Sequence, residues 1–246
     1  MKATRFFNAS LFLISLTLCF GGIPEGHAVP IFGDVLPTYW SYVPIETLAG
    51  SGITQGCSAN PPLYCPDSQV LRSQMAVFLE RSINGSGFEP PPAIGVFADV
   101  PPGYWASGWI EQLFNDAITL GCAVGPLRYC PENPVNRAEM AVFILRSLNG
   151  RDFSPPPAVG LFADVPVSHW AAAWIEELYR EGITAGCSVS PLNYCPDNLV
   201  SRAEMAVFLG RAFEFPLVAQ HSINSTGGNL CFSITLGIFR TYGPLM

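Results

Sequence analysis

Apolar positions recur along this 246-residue chain with a helical beat. Trp170, Trp174, Ile175, Leu178 and Tyr179 follow one another at spacings of four, one, three and one, which is one face of a 3.6-residue period. Gly182 stands where such a helix would stop, and Ile183 and Gly186 follow it. A second stripe, Met205, Phe208, Leu209 and Ala212, opens at Ser201-Arg202-Ala203-Glu204. Ser and Glu three apart make a capping box, in which each satisfies a backbone N–H of the other. The pattern predicts helix, loop, helix.

The same plan occurs three times at a constant step of 65 residues. Phe32, Phe97 and Phe162 keep it, as do Asp34, Asp99 and Asp164, and Trp40, Trp105 and Trp170. So do Cys57, Cys122 and Cys187, then Cys65, Cys130 and Cys195, then Arg72, Arg137 and Arg202. Copy 2 repeats the stripes as Trp105, Trp109, Ile110 and Leu113, then Asn136-Arg137-Ala138-Glu139 with Met140, Phe143 and Ile144. Copy 1 departs at Pro44 (Trp in the others), Leu71 (Asn or Ser) and Gln74 (Glu). The connectors repeat too, each ending in three prolines at 90–92 and 155–157, which favours an extended spacer. A pair of short helices cannot bury its apolar stripe alone, so the copies must pack on one another. The three equivalent Trp are read as core anchors, each contributing roughly 4–6 kcal/mol at most if fully buried.

The expected organisation is a leader at 1–28, copies at 29–83, 96–148 and 161–212, Pro-rich linkers at 84–95 and 149–160, and a tail at 213–246. Lys2 and Arg5 precede the apolar run Leu11 to Phe20, and Gly26-His27-Ala28 offers a small-x-small cleavage site, so the N-terminus reads as an export signal. Leu18 before Cys19 makes a poor lipobox. The chain expected after cleavage has ten Arg and no Lys. With 49% apolar but only 13% charged residues and a net charge of −7, the chain does not suit a nucleic-acid partner, which needs a basic face. No apolar run reaches the ~18 residues of a membrane span.

Taken together, these residues resemble the S-layer homology (SLH) domain of bacterial envelope proteins. Phe97-Ala98-Asp99-Val100 and Phe162-Ala163-Asp164-Val165 open copies 2 and 3, and Val135-Asn136-Arg137-Ala138-Glu139-Met140-Ala141 and Val200-Ser201-Arg202-Ala203-Glu204-Met205-Ala206 carry their second helices. Copy 1 offers Phe32-Gly33-Asp34-Val35 and the degenerate Leu71-Arg72-Ser73-Gln74. The match covers about residues 30–212. The resemblance implies a mainly α-helical fold in which three tandem helix-loop-helix repeats form a pseudo-threefold bundle. It implies non-covalent attachment to the cell envelope, with grooves between copies binding wall polysaccharide or a peptidoglycan-associated polymer, in some members a pyruvylated one. It gives the signature arginine, here Arg137 and Arg202 and less surely Arg72, the principal ligand contact.

Physical reasoning supports that role, because an Arg just after a helix cap adds a bidentate fork to a positive helix end. The alternative is that each Arg pairs with an acid of its own fold, such as Asp99 or Glu139. Trp40, Trp105 and Trp170 would shape the groove if they are not core. Asp34, Asp99 and Asp164 sit at entries to the first helix and would cap it or orient an Arg, with capping the favoured reading. Glu176-Glu177 reads as a solvated face, and His169 as a surface or capping residue.

Each copy carries Cys-x7-Cys in its loop, and in an exported chain a disulfide is the default. Metal is disfavoured, since zinc wants four ligands at tighter spacing and no His recurs nearby. Cys231 is left without a partner once the leader is gone. No nucleophile elbow, His-Glu-x-x-His or phosphate loop is present, so no catalytic residue and no cofactor are expected. Phe232, Ile234, Leu236 and Ile238 alternate with small or polar residues, predicting one unpartnered β-strand. The reading is an exported, non-enzymatic envelope anchor at the cell surface, wall or periplasm, with polysaccharide and other surface proteins as partners. Its rivals are a protein–protein assembly module of a surface layer and the anchor portion of a surface hydrolase.

Overall fold

The structure, a computed structural model, describes residues 30–215 in full and the backbone of residues 15–21, 222–226 and 229–235. The chain divides into two units. In the first, Ser15–Gly21, Asn229–Thr235 and Ser222–Thr226 form an antiparallel sheet in that order. The tail strand expected at 232–238 is thus present at Asn229–Thr235, but it is paired on both sides rather than unpartnered. Residues 236–238 lie outside the described part. Cys231 is the backbone register partner of Cys19.

The second unit is mainly helical. Each copy supplies two helices: α1 (Tyr42–Gly50) and α2 (Arg72–Asn84), α3 (Ser107–Asn115) and α4 (Arg137–Asn149), α5 (Ala172–Arg180) and α6 (Arg202–Ala212). The second helix of each pair starts from an extended residue. At α4, Asn136 Oδ1 accepts the Glu139 N–H at 2.8 Å while Glu139 accepts the Asn136 N–H at 3.1 Å, and Ser201 and Glu204 exchange the same bonds at 3.2 and 2.9 Å. In copy 1 only half the box survives, because Leu71 has no acceptor and Gln74 Oε1 alone takes the Leu71 N–H at 3.3 Å. After the first helices the chain turns through a left-handed residue at one repeated position, Gly52, Ala117 or Gly182. Ala117, at φ 57°, shows that the turn geometry is kept even where glycine is absent.

Helix packing runs around the three copies. α2 packs on α3, α4 on α5, and α6 on α1. Backbone bonds follow the same cycle, with Val135 N–H donating to Val70 O, Val200 N–H to Val135 O, and Val70 N–H to Val200 O, each at 2.9 Å. The core beneath is built from repeated positions: Ile45, Ile110 and Ile175, Leu48, Leu113 and Leu178, and Tyr64, Tyr129 and Tyr194 are all buried.

The proline connectors are docked rather than spacing the copies apart. Glu111 accepts the N–H groups of Ile94, Gly95 and Val96 at 2.8–2.9 Å, and Glu176 those of Val159, Gly160 and Leu161. Glu176 is therefore buried, not part of a solvated face, and Arg180 closes over it at 2.9 Å. Burial alone would raise these two carboxyls. Their backbone donors more than reverse it, holding both below the usual carboxylate range. Phe88 and Phe153 then set their ring edges on Trp109 and Trp174, at 5.9 Å in both copies.

Candidate functional site at the junctions between copies

The repeated spacing of each loop has a structural cause. Asp34 accepts the N–H groups of Tyr64 and Cys65 on its two oxygens at 2.8 and 2.7 Å, Asp99 those of Tyr129 and Cys130 at 2.8 Å each, and Asp164 those of Tyr194 and Cys195 at 2.8 and 2.6 Å. These aspartates do not cap the first helix, which has no side-chain cap in any copy. They fix the loop instead, at the point where Cys65, Cys130 and Cys195 adopt left-handed φ of 57–58°. The disulfides Cys57–Cys65, Cys122–Cys130 and Cys187–Cys195 close the same loops with Cα atoms 6.0 Å apart.

The fixed loop of one copy receives the second helix of another. Arg72 N–H donates to Asn133 O at 2.9 Å and Ser73 N–H to Pro131 O at 3.0 Å. Arg137 and Ala138 donate in the same way to Asn198 and Pro196 at 2.9 Å, and Arg202 and Ala203 to Ser68 and Pro66 at 2.9 and 2.8 Å. The first two N–H donors of α2, α4 and α6 are thereby satisfied by protein.

The arginine side chains complete these junctions from inside. Arg72 Nε donates to Tyr129 O at 2.8 Å, and Tyr129 Oη donates back to Arg72 O at 2.8 Å. Arg137 and Tyr194 repeat the exchange at 2.9 and 2.7 Å, and Arg202 and Tyr64 at 2.7 and 2.8 Å. Each guanidinium lies over the same tyrosine ring, 4.7–4.9 Å from its centroid. Arg72, Arg137 and Arg202 are only 4%, 1% and 5% exposed, so they do not project into an open cleft. Arg72 pairs with Glu139 at 3.0 Å and Arg137 with Glu204 at 2.9 Å, the intramolecular pairing held as the alternative to ligand contact. The third junction differs, because Gln74 stands where the others have Glu.

The tryptophans lie on the outside. Trp40, Trp105 and Trp170 are 52%, 61% and 63% exposed, which corrects their reading as core anchors. The helical period does not reach them, since each sits in a turn two residues before its helix begins. Each indole has an aromatic neighbour: Tyr39, Tyr104 or His169, with ring centroids 5.8–6.0 Å away. Tyr39 Oη donates to Asp67 at 2.7 Å and Tyr104 Oη to Glu132 at 2.6 Å. Burial, then the bond to Asp67, pushes the Tyr39 hydroxyl up to about 12, so it stays a donor at neutral pH. Asp67 and Glu132 belong to the loop segments that receive the neighbouring helices, which places each tyrosine–carboxylate pair beside a junction. In copy 3, His169 Nδ1 instead accepts the Ala171 N–H at 3.2 Å, a bond within the turn that leads into α5 rather than a cap of that helix. The clamp role of Glu111 and Glu176 was missed in the sequence; their shared 65-residue spacing, each 16 residues after the glycine of a proline connector, is the signal that could have found it.

Comparison with known proteins places these features. A cell surface protein of Thermoanaerobacter kivui is 25% identical over 210 residues, covering 83% of this chain and 24% of that protein. The S-layer protein EA1 of Bacillus anthracis is 30% identical over 118 residues, 48% of this chain and 13% of the relative. An amylopullulanase of Thermoanaerobacterium thermosulfurigenes is 36% identical over 110 residues, 45% of this chain and 6% of the enzyme. The chain spans a quarter or less of the length of these relatives. No family model matches it. Among the described residues, no helix is long and apolar enough to cross a membrane. The chain is similar to segments of cell-surface and S-layer proteins and of large glycan-degrading enzymes, and its three disulfides are consistent with export to the surface.

Proposed function

We propose that this chain is a non-covalent cell-envelope anchoring module of the SLH type, exported by its N-terminal leader, without catalytic activity of its own. Its three copies act as one pseudo-threefold unit whose junction surfaces bind wall polysaccharide. The observation that carries this reading is the exposure of Trp40, Trp105 and Trp170 beside the junctions. Each exposed indole lies against a second aromatic ring, and clustered exposed apolar surface repeated at three equivalent points marks an interaction site. An indole offers a rigid apolar face for the C–H face of a sugar ring, at little entropic cost. Asp67 and Glu132, already hydrogen-bonded to tyrosine, have further lone pairs for sugar hydroxyls. Three weak sites on one unit add by avidity, which suits an anchor. The similarity to a cell surface protein, an S-layer protein and an amylopullulanase supports the same role.

Sedimentation with purified, protein-free cell walls tests it. Trp40→Ala, Trp105→Ala and Trp170→Ala combined should lower apparent wall affinity at least about tenfold. The thermal midpoint should barely move, because exposed positions contribute little to folding. Undiminished sedimentation of the triple variant would defeat the proposal. Binding that disappears when surface proteins are stripped from the walls would favour the assembly module instead.

A further inference from the structure

We infer that Asn149 is a spontaneous deamidation site, a covalent clock on the contact between copies 2 and 3, and that Asn84 is its protected counterpart. The chain has two Asn-Gly pairs, Asn84-Gly85 and Asn149-Gly150, one repeat step apart at the ends of α2 and α4. Copy 3 has Glu214-Phe215 at that place. Glycine lacks the side chain that otherwise obstructs attack by its own nitrogen on the asparagine before it. In that attack the deprotonated Gly150 nitrogen bonds to Cγ of Asn149 and ammonia leaves, giving a succinimide ring. Water then opens the ring to aspartate or isoaspartate. The sum is asparagine and water to acid and ammonia, with no oxidant and no enzyme.

Both pairs are exposed, so water reaches them. Hydrogen bonds restrain them. Gly85 N–H donates to Arg81 O and Gly150 N–H to Arg146 O, each at 2.8 Å. Asn84 Nδ2 donates to Glu80 O at 3.2 Å, and Asn149 Nδ2 to Leu145 O at 3.1 Å. The reaction therefore waits for the last helical turn to open, and its rate follows the open population.

The two helix ends differ in what opening costs. Asn84 also donates to Glu80 Oε2 at 3.0 Å. Glu80 is fully buried and its Oε1 has no partner, so releasing Asn84 leaves a buried carboxyl with no donor at all. In copy 2 the matching residue is Leu145, which needs no partner. The second acceptor of Asn149 is Glu181, an exposed residue whose lost bond water replaces. Glu181 ends α5, which packs on α4. Aspartate at 149 would replace that donor–acceptor pair with two carboxylates across copies 2 and 3, at a helix C-terminus that disfavours negative charge. Isoaspartate would also lengthen the main chain just before the connector that Glu176 holds. This chemistry runs whether or not the chain binds a wall polymer.

Peptide mapping by mass spectrometry, after incubation of the intact oxidised chain at neutral pH and 37 °C, tests it. Asn149 should convert at least about fivefold faster than Asn84. Glu80→Leu should remove most of that difference by raising the Asn84 rate; if the variant does not fold, the native rates still decide. Reduction of the disulfides should speed both sites and bring their rates together. Asn149→Asp, which supplies the aspartate product directly, should lower the thermal midpoint by about 2–4 °C. Equal rates at the two sites in the native chain, or faster conversion at Asn84, would overturn the inference. So would an Asn149 that stays an amide while the reduced chain converts, or an Asn149→Asp midpoint equal to the native one.

Discussion

Reducing the three disulfides should cost the folded protein roughly 2.5 kcal/mol each, about 7.5 kcal/mol together if the bridges act independently. Each joins cysteines eight positions apart, and closing so short a loop is worth that amount in the chain-entropy account. The loss does not stay in the loop. Pro66, Pro131 and Pro196 directly follow the second cysteines, and their carbonyls accept the helix N–H groups that join the copies. Loosening a loop therefore loosens a junction. Since domains of this kind have about 5–15 kcal/mol in total, the reduced chain should be unfolded or marginal near 37 °C. Urea unfolding with and without reductant measures the effect. A midpoint unchanged by complete reduction would show that the junctions hold without the bridges.

The second large effect belongs to Glu80. It is fully buried on α2, Oε1 has no partner, and Oε2 accepts only from Asn84 at 3.0 Å. Burial first, then the charge of Asp116, pushes its carboxyl from 4.5 up to about 8, and Asn84 offsets little of this. The folded state thus keeps a proton that the unfolded chain loses near pH 4.5. Below that pH both states are protonated and there is no penalty. As pH rises from about 4.5 to about 8, stability should fall by about 2–4 kcal/mol, a figure discounted for solvent screening, and then level off. Copy 2 has Leu145 at the matching position, also buried, so Glu80→Leu is the natural comparison. The variant should match or exceed the native chain near pH 5 and be clearly more stable at pH 8.5. Stability curves running parallel across that range would refute the assignment.

Much of this was legible in the sequence because the repeat is strict. A constant 65-residue step located both helices of every copy, the local disulfide pairs and the capping boxes, since each depends on residues close in sequence. What failed was orientation. Trp40, Trp105 and Trp170 sit in phase with the helical stripe but before the helix starts, so a periodicity argument placed them inside when they are outside. The aspartates looked like helix caps because they precede a helix. Their acceptors were used 30 residues away, on the loop backbone, which no local spacing reveals. Glu176 looked solvated because charge usually is, yet three backbone donors of a proline connector converge on it, as they do on Glu111. The arginine side chains bond loop carbonyls 57 or more residues away, which no local spacing reveals. Only the junction geometry separates Arg72 and Arg137, paired to Glu139 and Glu204, from Arg202.

Intrinsic tryptophan fluorescence during titration with purified wall polysaccharide tests the central claim most directly. Three of the chain's five tryptophans are mostly exposed at the junction surfaces, whereas Trp109 and Trp174 pack against connector phenylalanines. Binding there predicts a saturable blue shift of the emission, lost when Trp40, Trp105 and Trp170 are replaced. Polysaccharide that binds the chain while the emission stays unchanged would contradict the account.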